Sequence, residues 1–128
     1  MKKKIFITAS ILGALAVIAG AFAAHGLQTR LSVKDMQVWN TAVQYQFYHV
    51  FALLALSHLS RYQTTLVNTC YYLFTIGIVF FCGSLYLLAT LELLGWAWIR
   101  IIGPVTPLGG FLFICGWITM GIAATKNK

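Results

Sequence analysis

The chain has 128 residues, of which 60% are hydrophobic and 9% charged, with a formal net charge of +7. Soluble domains carry roughly a half and a quarter, and a chain this short buries only about two-thirds of its surface by folding in water, so an ordinary soluble fold is excluded. A nucleic-acid surface is excluded too: the Lys and Arg residues sit in joints between apolar runs rather than along a basic stripe interleaved with exposed aromatics.

The first apolar run, at 5–25, is long enough to cross a hydrocarbon core of about 30 Å. Lys2, Lys3 and Lys4 precede it and Ala21-Phe22-Ala23-Ala24 stands near its end, which is also the outline of a cleavable secretory signal. The run is longer than the roughly 7–15 residues of such a signal, and further apolar runs follow, so it reads as a span. Ala9, Gly13, Ala16, Gly20 and Ala24 form a small-residue stripe along it. Such a stripe lets another backbone approach closely, either a neighbouring span or a second copy of the chain. Gly26, after His25, is placed for the left-handed position that ends a helix.

Ser32 is an N-cap candidate, with Asp35 as the acidic third residue. From there no Gly or Pro interrupts the chain until well past residue 60. A helix of about 27 residues would be about 40 Å long, more than the hydrocarbon thickness. The stretch 32–40 should therefore lie at the interface, with Trp39 at headgroup level, and 40–60 should span. A third span is expected at 66–93, with Gly77, Gly83 and Ser84 as a close-packing face and Gly95 ending it. Trp96, Trp98 and Arg100 make 96–103 an interfacial segment. Thr106 is placed to cap the fourth span, 107–124, with Pro107 at the first helical position; Gly109, Gly110, Gly116 and Gly121 favour tight contacts there. Gly13, Gly20, Gly77, Gly83, Gly110 and Gly116 are the candidate helix-packing positions.

The expected fold is all-α: a single domain, 1–128, of four transmembrane helices in one bundle. Lys2, Lys3, Lys4, Arg61, Lys126 and Lys128 fall on one side, and Arg30, Lys34 and Arg100 on the other. The excess of positive charge places both termini and the Arg61 joint in the cytoplasm. Cys70, Cys82 and Cys115 have no CxxC or Cys/His spacing and read as small apolar packing residues.

The stretch 39–58 differs from the rest, because hydrogen-bonding side chains enter a segment that also has to cross lipid, where such groups are costly without partners. At about 100° per residue Trp39, Ala42, Gln46, His49 and Leu53 share one face, with Tyr45 at its edge. Gln46 and His49, three apart, can bond to each other or to a common partner. His25 stands at a comparable depth to the start of this helix. His25, Trp39, Tyr45, Gln46 and His49 are thus the candidate buried polar site. One reading is an interhelical network worth around 0.6 kcal/mol per bond. A second is a proton or small-solute site, because histidine titrates near neutral pH. A third, metal or haem ligation by His25 and His49, lacks carboxylate or thiolate companions, so no metal or cofactor is expected. Asp35 and Glu92 have local structural explanations, and no nucleophile–base pair or phosphate-cradling loop appears. An enzyme is not expected.

Ala24-His25-Gly26-Leu27 followed by Trp39-x-Thr41-Ala42-x-x-Tyr45-Gln46-x-x-His49 resembles the small bacterial membrane-protein family catalogued as domain of unknown function 423, itself similar to an animal transmembrane protein of comparable size. The likeness covers nearly the whole chain, and His25, Trp39, Tyr45, Gln46 and His49 match its motif. It implies a four-span inner-membrane protein without an established activity. The expectation is a non-catalytic, multi-pass protein of a bacterial cytoplasmic membrane, in contact with lipid and with copies of itself or other membrane subunits, and not with nucleic acid. The alternative is a small channel or transporter with a polar track at His25, Gln46 and His49.

Overall fold

The computed structural model describes residues 2–59 and 64–126, and every regular element within them is helical. Arg61, in the joint between the second and third long helices, and Lys128 lie outside the described residues. Helix α1 is Lys2–Phe22, carried on to Leu27 by a π turn, Ala23–Leu27. Helix α2 is Val33–Leu59. Helix α3, Thr64–Gly77, passes through a second π turn, Ile78–Cys82, into α4, Gly83–Ala89. A short α5, Leu91–Leu94, and a 3-10 turn, Ala97–Ile102, lead into α6, Val105–Thr125.

Local chemistry accounts for most of these boundaries. The Ser32 hydroxyl accepts the Asp35 N–H at 3.1 Å, the N-cap bond that starts α2. Nothing interrupts α2 for 27 residues because it contains neither Gly nor Pro. Gly95, at φ 68°, ends α5 in the left-handed conformation that costs glycine little. Gly26 does not play that part, because it lies inside the π turn, one residue before that turn ends at Leu27. Thr106 is not the cap of α6 either: that helix starts at Val105, and the Thr106 hydroxyl instead meets Ser84 at 2.6 Å across the α4–α6 contact. Pro107 still falls in the first turn, where its missing N–H costs nothing.

Three stretches are long and apolar enough to cross a bilayer: Lys2–Leu27, Thr65–Ala89 and Ala97–Thr125. The fourth long helix, α2, is excluded from that set by composition rather than length, being 27 residues long. It lies at the centre, packed along α1 on one side and along α3 and α4 on the other, and α6 packs along α3. The pairings run antiparallel. Trp39 and Gln46 of α2 reach Ala19 and Leu12 of α1, while a Cβ on Gly77, Gly109 or Gly116 would meet Phe113, Phe81 or Phe74.

The small-residue stripe of α1 faces α2. Ala9 and Ala16 are buried, Gly13 has Val50 3.4 Å from where its Cβ would be, and Gly20 has Val43 at 3.6 Å; Ala24 is exposed. The closest approach in the bundle is between α6 and α3 with its π turn. A Cβ on Gly116 would lie 2.7 Å from the Phe74 ring, and one on Gly77 would lie 2.7 Å from the Phe113 ring. A Cβ on Gly109 would run into the backbone of Phe81. Gly110 has ordinary contacts, and around Gly83 and Gly121 there is nothing within 4 Å. Gly83 therefore makes no close helix contact, and Gly109 makes the tightest one.

These glycines separate by experiment. Gly109→Ala should lower stability by about 1–3 kcal/mol, because backbone cannot rotate out of the way. Gly121→Ala meets open space and removes a helix-disfavouring glycine, so its melt in detergent, followed by circular dichroism, should be unchanged or slightly raised. Equal melts for the two variants would contradict the packing described.

A polar face held by three neighbouring helices

Residues 39, 42, 46, 49 and 53 recur at steps of three and four, and all five are buried along one face of α2. Tyr45, at the edge of that face, is 38% exposed. Every polar group on this face finds a partner on another helix or in its own backbone, as a low-dielectric setting requires.

Trp39 comes first. Its indole Nε1–H donates to the Ala19 carbonyl at 3.0 Å, and its ring lies 4.6 Å from that of Tyr86. Two turns further on, the Gln46 amide is used at both ends. Nε2 donates to the Leu12 carbonyl of α1 at 2.8 Å, and Oε1 accepts the Tyr86 hydroxyl of α4 at 2.7 Å. A single side chain thereby ties α1, α2 and α4 together. Tyr86 packs against both hydrophobic clusters, one around Leu53 and Phe74 and the other around Trp39 and Leu27.

His49 closes the face. Its ring is stacked on Phe113 of α6, with centroids 3.6 Å apart and planes 8° from parallel. Trp117 Nε1–H donates to His49 Nε2 at 3.2 Å, and Nδ1 lies 2.6 Å from the Tyr45 carbonyl. An indole N–H can only donate, so Nε2 is the accepting nitrogen. The ring proton sits on Nδ1 and is donated to Tyr45. The imidazole is held neutral, in one tautomer, with both nitrogens occupied.

Gln46 and His49, which their spacing would let bond to each other or to a common partner, do neither: Gln46 bonds to Leu12 and Tyr86, and His49 to Tyr45 and Trp117. His25 is not brought to this face at all. It is exposed in the π turn at the end of α1. The pairing of Trp39 with Ala19 and of Gln46 with Leu12 puts its opposite number on α2 near residue 33, about 20 Å along the axis from Gln46 at 1.5 Å per residue. His25, Gln46 and His49 therefore form no single track. Tyr45 packs edge-on against Phe81 at 4.8 Å. It borders a groove of about 510 Å³ whose wall includes His49, Phe81, Phe113 and Trp117.

Three residues central to this face carried no mark in the sequence reading: Tyr86, Phe113 and Trp117. The available signal was that Tyr and Trp stand inside apolar runs rather than at their ends, where an O–H or N–H needs an internal partner. Among the described residues no three His, Cys, Asp or Glu side chains converge to hold a metal. Gln46 Nε2 and Oε1 and His49 Nε2 are each engaged in a bond to another helix, and His49 Nδ1 in one within α2, so acid–base or ligand chemistry at either side chain would compete with these bonds. Their arrangement is suited to holding the bundle in register.

Two measurements check this assignment. A double-mutant cycle with Gln46→Leu and Tyr86→Phe should show a coupling of about 0.6 kcal/mol, within the range up to ~1.7 measured for buried polar pairs in membranes; additive losses would mean that the two do not bond. Nitrogen NMR of isotope-labelled histidine should find His49 protonated at Nδ1 and bare at Nε2. Trp117→Phe should move the Nε2 signal most, and a protonated Nε2 would contradict the tautomer.

Comparison with known proteins agrees with this architecture in kind. Residues 19–110 match the family model described as a protein of unknown function (DUF423). The chain is 47% identical to a UPF0382 membrane protein of Staphylococcus saprophyticus, over 96% of this chain and 98% of that one. It is 45% identical to a UPF0382 membrane protein of Staphylococcus epidermidis, over 96% and 97%. With YwdK, a UPF0382 membrane protein of Bacillus subtilis, identity is 42% over 96% and 98%. No solved structure matches it. By its family model and by these relatives, the chain is a helical membrane protein belonging to the family of unknown function DUF423.

Proposed function

We propose that this is a non-catalytic, four-span protein of the bacterial cytoplasmic membrane that works through contacts at its perimeter. In this reading it is a self-associating protein or an accessory subunit of a larger membrane complex. The observation that carries the reading is the internal saturation of the polar face: Gln46 and His49 each have both side-chain polar atoms engaged within the chain. Along the length of the spans, the surface left to meet another molecule is apolar, including Ile11, Val17 and Ile18 on α1 and Phe111, Ile114 and Ile118 on α6. The small-residue stripe of α1 is occupied by α2, so a partner would meet these larger side chains instead.

Further points support the membrane and the topology. Helical spans are the form taken in the cytoplasmic membrane, while outer-membrane spans are built as closed β-barrels. The bacterial relatives are named membrane proteins. Helix α2 is antiparallel to both of its neighbours, as an up-down arrangement of four spans requires, and the Lys/Arg asymmetry sets both termini inside. The arrangement does not favour a channel or transporter, because His25 stands apart and the polar atoms of Gln46 and His49 are engaged in bonds within the chain.

Native mass spectrometry of the protein, extracted gently from its own membrane, is the direct test. Discrete multiples of the chain, or fixed stoichiometry with other chains, are expected; a bare monomer would overturn the reading. For topology, Leu93→Cys in a chain whose Cys70, Cys82 and Cys115 are replaced by Ala should react with an impermeant maleimide added outside intact cells. Labelling only after the membrane is opened would reverse the orientation.

A further inference from the structure

The motif residue left without a part in the polar face is His25, and the end of α1 around it is built differently from the rest. A π turn replaces the last α turn there, Ala23–Leu27; such turns recur at functional sites. Beyond it the chain turns back through residues carrying Thr29 and Arg30. Across from them stand the last residues of α5. Together they enclose a bowl of about 460 Å³, open at one side, within the size range of small-ligand sites.

The bowl has two chemically distinct walls. One is polar, formed by His25, Thr29 and Arg30; the other is apolar, formed by Phe22, Leu93 and Leu94. Among the described residues, the side chains of His25, Thr29 and Arg30 have no hydrogen-bond or ion-pair partner. Thr90 also lines the bowl, but its hydroxyl proton is directed to the carbonyls of Tyr86 and Leu87. Neither carboxylate of the chain, Asp35 or Glu92, is part of the lining. A guanidinium, an imidazole and a hydroxyl thus face one space without a counter-anion. The guanidinium fork matches phosphate geometry with paired donors. The bowl lies where an apolar span ends, which is the level of lipid headgroups.

We propose that this bowl binds the phosphate of an anionic phospholipid, with Arg30 as the main contact, Thr29 and His25 as further donors, and the lipid chains lying against Phe22, Leu93 and Leu94. A free phosphate ion would satisfy the cationic wall and leave the apolar one unused, which is why a lipid is the favoured source. The proposal needs only that the protein is embedded in a membrane. It holds whether or not the chain associates with other proteins.

The test is native mass spectrometry of the full chain in detergent micelles mixed with phosphatidylglycerol or, separately, phosphatidylcholine. Arg30→Gln should lower retention of phosphatidylglycerol about tenfold, as expected for loss of a charge-assisted bond. His25→Gln should lower it less. Lys34→Gln, an exposed cation outside the bowl, should leave it unchanged. All these side chains are exposed, so the variants should keep the parent melt. Retention that falls equally in the Lys34 variant, or is equal for the two lipids, would overturn the proposal. A third arm replaces ammonium acetate with ammonium phosphate at matched ionic strength. Lipid that stays bound supports the amphiphile, whereas lipid displaced by inorganic phosphate overturns the lipid as the occupant and leaves a site for the free anion.

Discussion

A side-chain amide inside a lipid-embedded bundle has nowhere to find water, so both of its ends have to be matched by the protein. Gln46 is where this structure meets that demand. Its two bonds, to the Leu12 carbonyl and the Tyr86 hydroxyl, come from different helices on opposite sides of α2. The rotation of α2, its depth against α1 and its depth against α4 cannot then be varied separately without leaving a buried donor or acceptor unmatched. Trp39 and His49 repeat the device above and below. Apolar packing supplies no comparable register in lipid, where hydrocarbon meets hydrocarbon on either side of a helix surface.

The α3–α6 contact is built on the opposite principle. It depends on backbones that approach closely because Gly77, Gly109 and Gly116 have no side chain, supplemented by the Ser84–Thr106 bond at one end. The bundle thus joins a polar seam and a glycine seam, and His49 is the residue that touches both. It sits on α2 yet stacks on Phe113 and accepts from Trp117, both on α6.

Much of this was legible in the sequence wherever the cause is local. Ser32 capped the helix it was expected to cap, the 27 residues without Gly or Pro formed one helix, and helical phase alone grouped Trp39, Ala42, Gln46, His49 and Leu53 on a buried face. What failed depended on partners. Gly26 reads as a helix stop, but the π turn carries the chain one residue beyond it. Gly83 and Gly109 are indistinguishable by composition, and only the rotation of their helices decides that one meets open space and the other the Phe81 backbone. Tyr86 and Trp117 could be flagged from their place inside apolar runs, but not their partners, because their bonds run to residues 40 and 68 positions away. The depth argument that set His25 near the polar face compared helix ends, whereas the observed pairing of α1 with α2 is set by side chains well inside both.

The central position of α2 has a consequence for how the protein is made. Among the described residues it is the one long helix not apolar enough to qualify by itself as a membrane span, and on the four-span reading it still crosses. A segment of that composition leaves the translocation machinery poorly prepared for lipid. Its antiparallel neighbour α1 is already synthesised when it emerges, and carries the Ala19 and Leu12 carbonyls that accept from Trp39 and Gln46. Insertion as a two-helix hairpin lets α1 shield these groups from the start, so the order of synthesis itself solves the solubility of α2. The Gln46 carbonyl oxygen is matched only by Tyr86, from a helix synthesised later.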